Sequence, residues 1–536
     1  MNNIKLLDCT LRDGGYLIDW EFGHNNMISI FERLVDANVD MIEIGFLDDR
    51  RSFDINRSIM PDTASVEKIF GGLDRKQAMV VGMIDYGTCS LEHIQPCEES
   101  FLDAIRVIFK KYLREEALHF CAELKKLGYK VFAQLVSVTS YEDDEMLDLI
   151  RLANEVKPYA VSMVDTYGLM HQDNLKHYFD LLNENLSMEI ALGYHAHNNF
   201  QMGYANCITM MSQNVSRMLL VDGTLYGMGK SAGNAPIELI AMYMNHHFGE
   251  KYQISQLLEA IDSCILNFHS SSTWGYNMFY YLAASNDCHP NYVSYLTEKR
   301  TLSVKSINEI LGKLQGEKKL LYDKKYIELL YRNYQTVDVN DTEDIGKLKK
   351  ELSERKILLL APGRNIKKQV EKINNYLKEH NPIIIAINFW PEDFGADYIF
   401  LSNSKRYVQL ASTLAKHPKC SIIATSNLTK TSGKFDYTLN FSPLIDSEAE
   451  IIDNPFFMLL KIMKRLEIKS VALAGFDGYS GNAGQDYIDS HMEYKFSIAQ
   501  AASINEYTME KLAKIKKDIS IKFVTDSRYS GGYYEN

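Results

Sequence analysis

Between residue 1 and about residue 270, eight short apolar runs alternate with amphipathic helical stretches at a regular beat, and this beat limits the fold more than any single motif does. The runs are Ile4 to Cys9, Asp40 to Gly45, Met79 to Ile84, Ala104 to Phe109, Lys130 to Val136, Ala160 to Val164, Glu189 to His195 and Arg217 to Val221. Strand and helix in strict alternation build a parallel sheet joined by crossover helices. Eight strands are the number at which such a sheet closes into a (β/α)8 barrel. An open doubly wound sheet would more often carry five to seven strands and a glycine-rich phosphate turn after the first, which is absent here. The stretch Leu113 to Leu127 has apolar residues at helical spacing and runs into a glycine, as expected of a helix on the outer ring of a barrel.

A barrel places its chemistry at the carboxyl ends of its strands. The polar residues at those ends are Arg12 and Asp13 after the first strand, Glu43 on the second, Asp165 after the sixth, His195 and His197 at the seventh, and Asn234 beyond the eighth. Strand eight closes on strand one, so the contributing strands are contiguous around the ring. His195 and His197 stand two residues apart, a spacing that points both rings to one side of an extended strand. Two imidazoles with a carboxylate suit zinc, manganese or iron better than calcium.

At 536 residues the chain exceeds one ordinary domain. Three segments are expected: a barrel over 1–270, a helical extension and linker over 271–350, and a smaller Rossmann-like α/β domain over 351–536. In the extension, the aromatic run Trp274 to Tyr281 is expected to pack as core. In the last segment, apolar runs at Ile357 to Ala361, Ile383 to Asn388, Tyr398 to Ser402, Ser421 to Thr425, Tyr437 to Phe441, Ser470 to Ala474 and Ile519 to Val524 alternate with helical stretches. Two turns, Pro362-Gly363 and Gly475-Phe476-Asp477-Gly478, follow strands of that domain, and without G-x-G-x-x-G an ordinary nicotinamide site is not expected. Net charge is -12, from 70 acidic and 58 basic residues with no basic cluster, which argues against a nucleic-acid partner. The eight cysteines form no C-x-x-C pair, so a reducing cytoplasm is expected. No apolar stretch approaches the roughly 20 residues that span a bilayer. A homo-oligomer is compatible with this composition.

The runs Asp8-Cys9-Thr10-Leu11-Arg12-Asp13-Gly14, His195-Ala196-His197-Asn198 and Gly227-Met228-Gly229-Lys230-Ser231-Ala232-Gly233-Asn234 occur in this order at successive strand ends. With them the first 270 residues or so resemble the DRE-TIM metallolyase superfamily, the 4-hydroxy-2-oxovalerate aldolase branch above its lyase and synthase relatives. The C-terminal segment is identified with no family. The resemblance implies a divalent metal, with manganese expected ahead of magnesium, cobalt or zinc, held by Asp13, His195 and His197 with Asn234 as a further ligand. It implies that Arg12 stabilises an enolate oxygen, an assignment consistent with carbon–carbon cleavage beside a carbonyl. Thr10, Glu43, Asp165 and Lys230 are expected to hold substrate or to orient the ligands.

One departure matters. In the aldolases a histidine close after R-D-G removes the proton of the 4-hydroxyl, whereas this chain has Gly15-Tyr16. Tyr16, His24 and Tyr276 are the candidates to replace it, although an unperturbed tyrosine is a poor base at neutral pH. The reading implied is a metal-dependent aldolase acting on a 4-hydroxy-2-oxo acid through a pyruvate-like enolate, with a 2-oxo acid and an aldehyde as its small-molecule partners. Two rivals remain: a Claisen-type transferase joining an acyl-CoA to a 2-oxo acid, and a barrel that serves only as a scaffold.

Overall fold

The computed structural model describes residues 3–298, 302–319, 321–335, 338–429, 433–446, 453–482, 484–489, 492 and 500–530. The chain divides into two compact units, Met1–Ser294 with Gln315–Tyr322, and Tyr295–Leu314 with Asp323–Asn536. Among the described residues no helix is long and apolar enough to cross a membrane.

The first unit is a closed eight-stranded parallel barrel. Its strands are β1 (Ile4–Asp8), β2 (Met41–Leu47), β3 (Met79–Asp85), β4 (Ala104–Phe109), β5 (Lys130–Leu135), β6 (Ala160–Asp165), β7 (Ala191–Ala196) and β8 (Leu219–Gly223). Each pairs with its sequence neighbours, and β1 pairs with both β2 and β8 to close the ring. A two-residue strand, Ile59–Met60, lies along β2 outside the eightfold count. All eight strands expected from the alternation are present.

Seven helices follow the strands: α1 (His24–Asp36), α2 (Thr63–Phe70), α3 (Arg114–Lys126), α4 (Asp143–Val156), α5 (Gln172–Asn185), α6 (Gly203–Met211) and α7 (Ile237–Phe248). In α1 the buried residues are Met27, Ile30, Phe31, Leu34 and Val35, a stripe at the three- and four-residue spacing that one helix face requires. In α3, Glu115 and Glu116 occupy the first turn and Lys125 and Lys126 the last, matching the helix dipole. The Asp62 side chain caps α2 through the Ser65 N–H at 2.6 Å, a contribution of about 1 kcal/mol.

Period-two alternation sorts the strand residues into an outer set packed under the helices and an inner set filling the barrel. The inner floor takes one or two residues from every strand: Leu7 and Cys9, Met41, Val81, Ala104, Phe132, Ala160, Ala191 and Leu220. Two residues further along their strands come Glu43, Arg106, Gln134, Ser162 and Asp222, all buried, so a polar layer rests on an apolar one. Two residues beyond Gly193 the same inward face of β7 carries His195.

The aromatic run after the barrel is not core. Tyr276, Met278, Phe279 and Tyr281 are exposed, because the helix Met278–Ser285 buries only its later turn, Leu282, Ala283 and Ala284. Trp274 does reach the barrel, its indole N–H donating to the Tyr226 carbonyl at 2.8 Å.

The second unit is built on a seven-stranded parallel sheet: β9 (Ile357–Leu360), β10 (Ile383–Ile387), β11 (Tyr398–Leu401), β12 (Ser421–Thr425), β13 (Tyr437–Leu439), β14 (Ser470–Ala474) and β15 (Ser520–Phe523). The spatial order is β13-β12-β11-β10-β9-β14-β15. Ile357 and Leu359 enter one apolar cluster with Leu348, Leu459 and Leu512, while Leu358 and Leu360 enter another with Ile373 and Leu414. The sheet is therefore covered on both faces, by α8 (Thr342–Leu352), α11 (Pro455–Arg465) and α12 (Ala501–Ile515) on one, and by α9 (Val370–His380) and α10 (Ser404–Ala415) on the other. Burial on both faces explains why its strands read as unbroken apolar runs.

Candidate functional site

At the carboxyl end of the barrel, Asp13, His195 and His197 converge, all buried, with ligating atoms within 4.8 Å of one another. His195 Nε2 lies 3.4 Å from Asp13 Oδ2, and His197 Nε2 lies 3.7 Å from Asp13 Oδ1. Asp13 sits on the single turn Thr10–Asp13 that follows β1. A one-residue bridge pairs His197 with Asn234. A Cβ at Gly229 would meet Asp13 Oδ1 at 2.8 Å and also strike the Asn234 amide, so only glycine lets that loop bring Asn234 against Asp13.

The imidazoles are held from behind. His197 Nδ1 lies 3.0 Å from the Asp165 carbonyl, an oxygen that can only accept, so Nδ1 carries the proton and Nε2 presents a lone pair. His195 Nδ1 lies 3.0 Å from Asp222 Oδ2, with the same consequence. Asp222 also accepts from Arg106 Nη2 at 2.5 Å. Burial works against charge on Asp222, but Arg106 and His195 outweigh it and lower its pKa. Arg106 in turn lies 3.4 Å from Glu43 Oε2, which accepts from Arg12 Nε at 2.8 Å. Arg12 Nη1 closes the chain on Asp13. Burial likewise opposes the charge on Asp13, yet Arg12 and the two imidazoles hold its carboxyl well below the usual range.

His195 Nε2, His197 Nε2 and Asn234 Oδ1 are buried and have no hydrogen-bond partner. Buried lone pairs of this kind are costly unless something occupies them, and two imidazole nitrogens, an amide oxygen and an ionised carboxylate are a donor set that fits a divalent cation. A second cluster, Cys9 with His195 and Asp222, uses the other nitrogen of His195. Burial drives the Cys9 thiol up, so it stays protonated and donates to the Gly223 carbonyl at 3.5 Å. That cluster orients His195.

Of the remaining residues singled out in the sequence, Glu43 touches Arg12 and Arg106 and makes no contact with the imidazoles. Asp165 accepts the Leu169 and Met170 N–H groups at 2.8 and 3.1 Å, and burial pushes its carboxyl up to about 6. Thr10 Oγ1 donates to Asp8 Oδ2 at 2.7 Å and accepts the Leu225 N–H at 2.8 Å, tying β1 to the loop after β8. The Lys230 N–H donates to Asp13 Oδ1 at 2.9 Å, and its ammonium lies 5.3 Å from the centre of the Tyr16 ring. Burial pushes the Tyr16 hydroxyl up, with Arg12, Asp13 and Glu43 in electrostatic reach.

His24 and Tyr276 are not brought into this group. His24 opens α1, where its backbone N–H donates to Asn56 Oδ1 at 3.2 Å. Tyr276 is 64% exposed. Arg106, Asp222 and Gln134 were missed by the sequence reading. His289, in the turn after the helix Met278–Ser285, lies in electrostatic reach of Lys230, and burial lowers its imidazole to about 4.

Residues 3–263, which form this barrel and its strand-end site, match the HMGL-like family model. The barrel is an HMGL-like domain of the DRE-TIM superfamily, whose enzymes use a divalent metal. Several curated relatives carry the name 4-hydroxy-2-oxovalerate aldolase, among them the following two. That of Marinomonas sp. (strain MWYL1) is 24% identical over 243 residues, 45% of this chain and 70% of the relative. That of Pseudoalteromonas translucida (strain TAC 125) is 24% identical over 285 residues, 51% of this chain and 81% of the relative. Among solved structures, hydroxymethylglutaryl-CoA lyase from Pseudomonas aeruginosa superposes with a TM-score of 0.40 at 15% identity, covering 49% of this chain and 91% of that one.

Proposed function

We propose that the barrel is an aldolase that cleaves a 4-hydroxy-2-oxo acid to a pyruvate-type 2-oxo acid and an aldehyde, and runs the same bond formation in reverse. The observation that carries this reading is the trio of buried, unpartnered donor atoms, His195 Nε2, His197 Nε2 and Asn234 Oδ1, beside the ionised Asp13. These residues would hold a divalent cation, manganese by preference, which when bound supplies Lewis-acid polarisation of the 2-oxo group. Asp165 and Asp222 fix the imidazole tautomers, and Glu43 fixes Arg12. Arg12 meets the negative charge that develops on the 2-oxo oxygen as the carbon–carbon bond breaks, and its buried setting makes that hydrogen bond stronger than it would be in water. Lys230 stands at the mouth as the cation for the substrate carboxylate.

For the 4-hydroxyl, Tyr16 is the one of the three candidates that shares the electrostatics of Arg12 and Asp13. A phenol whose pKa is pushed up keeps its proton, so its part is to hold the 4-hydroxyl in position by a hydrogen bond rather than to act as the base. Purified protein should contain bound metal and convert pyruvate plus an aldehyde into a 4-hydroxy-2-oxo acid, assayed across an aldehyde panel by mass spectrometry. No condensation with any aldehyde, together with consumption of acetyl-CoA, would replace the aldolase with the acyl transferase. Neither reaction in metal-replete protein would leave the scaffold.

A further inference from the structure

The sheet of the second unit reverses its winding at β9: strands β10 to β13 continue on one side of it, whereas β14 and β15 lie on the other. Such a switch leaves a crevice beyond the carboxyl ends of the strands, the place where open α/β sheets hold ligands. A cavity of about 680 Å³ lies there, bordered by the turns after β9 and β14, and its described lining residues all belong to the second unit. This volume suits a small organic molecule.

Two carboxylates in the lining have an oxygen to spare. Asp486 is 6% exposed; its Oδ1 accepts the Ser480 N–H at 2.8 Å, while its Oδ2 is buried with no partner. Asp477 Oδ2 accepts the Asn365 N–H at 2.7 Å, and its Oδ1 is buried with no partner. A Cβ at Gly363 would lie 2.2 Å from the Gly475 carbonyl and 2.8 Å from that Oδ1, so glycine lets the turn after β9 close against the turn after β14 with the carboxylate between them. Burial raises Asp477 to about 6, and the neighbouring charge of Asp486 adds to the effect. Among the described residues no lysine, arginine or histidine forms an ion pair with either carboxylate. Buried charge left in this state is costly unless a cation and hydrogen-bond donors meet it.

The rest of the lining keeps the same sign. Glu298 and Asp453 add two carboxylates, against the single guanidinium of Arg406. That guanidinium is engaged, donating to Gln409 Oε1 at 3.1 Å and to the Met492 carbonyl at 2.7 Å. The starts of α10 and α11 are closed as well: Asn403 accepts the Lys405 and Arg406 N–H groups, Asn454 accepts that of Phe456, and Pro455 has none to offer. These groups give an anion no seat. Phe456 and Phe476 stand with ring centroids 4.1 Å apart, and Tyr479 also lines the cavity. Aromatic faces attract organic cations and pack against their carbon atoms.

We propose that this cavity binds a small organic amine in its protonated form: the ammonium donates to Asp477 Oδ1 and Asp486 Oδ2, and the carbon skeleton lies against the aromatic rings. An ammonium carries three N–H donors, enough for both oxygens, and its charge offsets theirs. A neutral polyol would fill the same lone pairs and leave the buried charges uncompensated. A bare metal ion fits less well, because among the described residues the cavity gathers no group of three ligating side chains. The site is separate from the barrel chemistry and gives the second unit a ligand of its own.

The test is isothermal titration calorimetry on the full chain, in phosphate buffer at physiological ionic strength. Phenethylamine, cadaverine and glucosamine are each compared with the matching alcohol: phenethyl alcohol, pentanediol and glucose. At least one amine should bind, and its alcohol about tenfold or more weaker, because the alcohol forfeits the charge-assisted hydrogen bonds. Asp477→Asn and Asp486→Asn should each weaken the amine and narrow its advantage over the alcohol. Asp518→Asn, which removes an exposed carboxylate outside the cavity, should leave the affinity unchanged. Circular dichroism and thermal melting establish that each variant is folded; where one aspartate variant does not fold, the other decides, and the comparison of amine with alcohol needs no variant. Failure of all three amines to bind overturns the proposal. So does an alcohol that binds as tightly as its amine, or a loss in Asp518→Asn equal to that in the cavity variants, which would mean general attraction to an acidic protein.

Discussion

On the proposed metal site, Asp222 stands behind the ligand His195, and its contacts there should make it decisive for metal affinity. Its Oδ2 accepts from His195 Nδ1 at 3.0 Å and from Arg106 Nη2 at 2.5 Å, so one oxygen fixes the imidazole tautomer and neutralises a buried guanidinium. In Asp222→Asn the amide keeps the shape and loses the charge. If its oxygen stays toward His195, the lone pair on Nε2 survives but the ring becomes a weaker donor to metal. If the amide nitrogen turns toward His195 instead, the proton moves to Nε2 and the ligand position is blocked. Loss of a carboxylate behind a ligating histidine costs about 10- to 100-fold in metal affinity, equivalent to about 1.4–2.8 kcal/mol. The assay is a manganese titration of the metal-free protein against a competing chelator, with wild type and His195→Ala as limits and thermal melting as the check on folding. A folded Asp222→Asn that binds manganese as tightly as wild type would refute the reasoning, because the contacts of Nδ1 would then have no bearing on Nε2.

Four further outcomes are expected. His195→Ala and His197→Ala should each leave a folded barrel with little metal by plasma mass spectrometry; stoichiometric metal in both would end their assignment as ligands. Arg12→Lys should retain metal but slow exchange of pyruvate methyl protons with deuterated solvent by about 100-fold, since lysine lacks the planar fork; metal loss as large as in the histidine variants would make Arg12 structural. Tyr16→Phe should slow cleavage of a 4-hydroxy-2-oxo acid much more than methyl exchange, because only cleavage involves the hydroxyl; unchanged cleavage excludes Tyr16. Burial opposes ionisation of Asp40, but hydrogen bonds from Lys251, Tyr252, Lys5 and the Leu6 N–H depress its pKa, so it contributes stability above its unfolded value of about 3.9 that is lost as pH falls through the lower folded value. Asp40→Asn should therefore lower the melting temperature at pH 7 and converge on wild type at strongly acidic pH; a constant difference across the range would contradict this.

The barrel was legible because each strand is a run of apolar residues on both faces, and observed ends fall within a few residues of those expected: Ala160–Asp165 against Ala160 to Val164, Leu219–Gly223 against Arg217 to Val221. The same alternation exposed His195 and His197. It could also have exposed the polar layer, since Glu43, Arg106, Gln134, Ser162 and Asp222 each stand two residues after a floor residue, namely Met41, Ala104, Phe132, Ala160 and Leu220. What hid Arg106 and Asp222 is that each alone looks like a stray charge in a strand. They become a pair only when the closed ring brings together positions 116 residues apart.

The proton-transfer group was illegible for a different reason. Ligands carried at strand ends inherit their direction from the ladder, so a two-residue spacing fixes where His195 and His197 point before any loop is placed. Tyr16, His24, Tyr276 and His289 all lie in turns, at helix starts or beyond the barrel, where no periodicity links sequence position to direction. Among them Tyr16 comes next to Asp13 because the Thr10–Asp13 turn is followed at once by another, Gly14–Leu17, which folds the chain back over the strand end. His24 sits one helix start further on and leaves the site with α1. On the aldolase reading, strand register sets only the two imidazoles; Arg12 and Asp13 lie on the turn after β1 and Tyr16 on the turn that follows it, so charge stabilisation at the 2-oxo oxygen and the handling of the hydroxyl proton both depend on the same chain segment beyond the strand end.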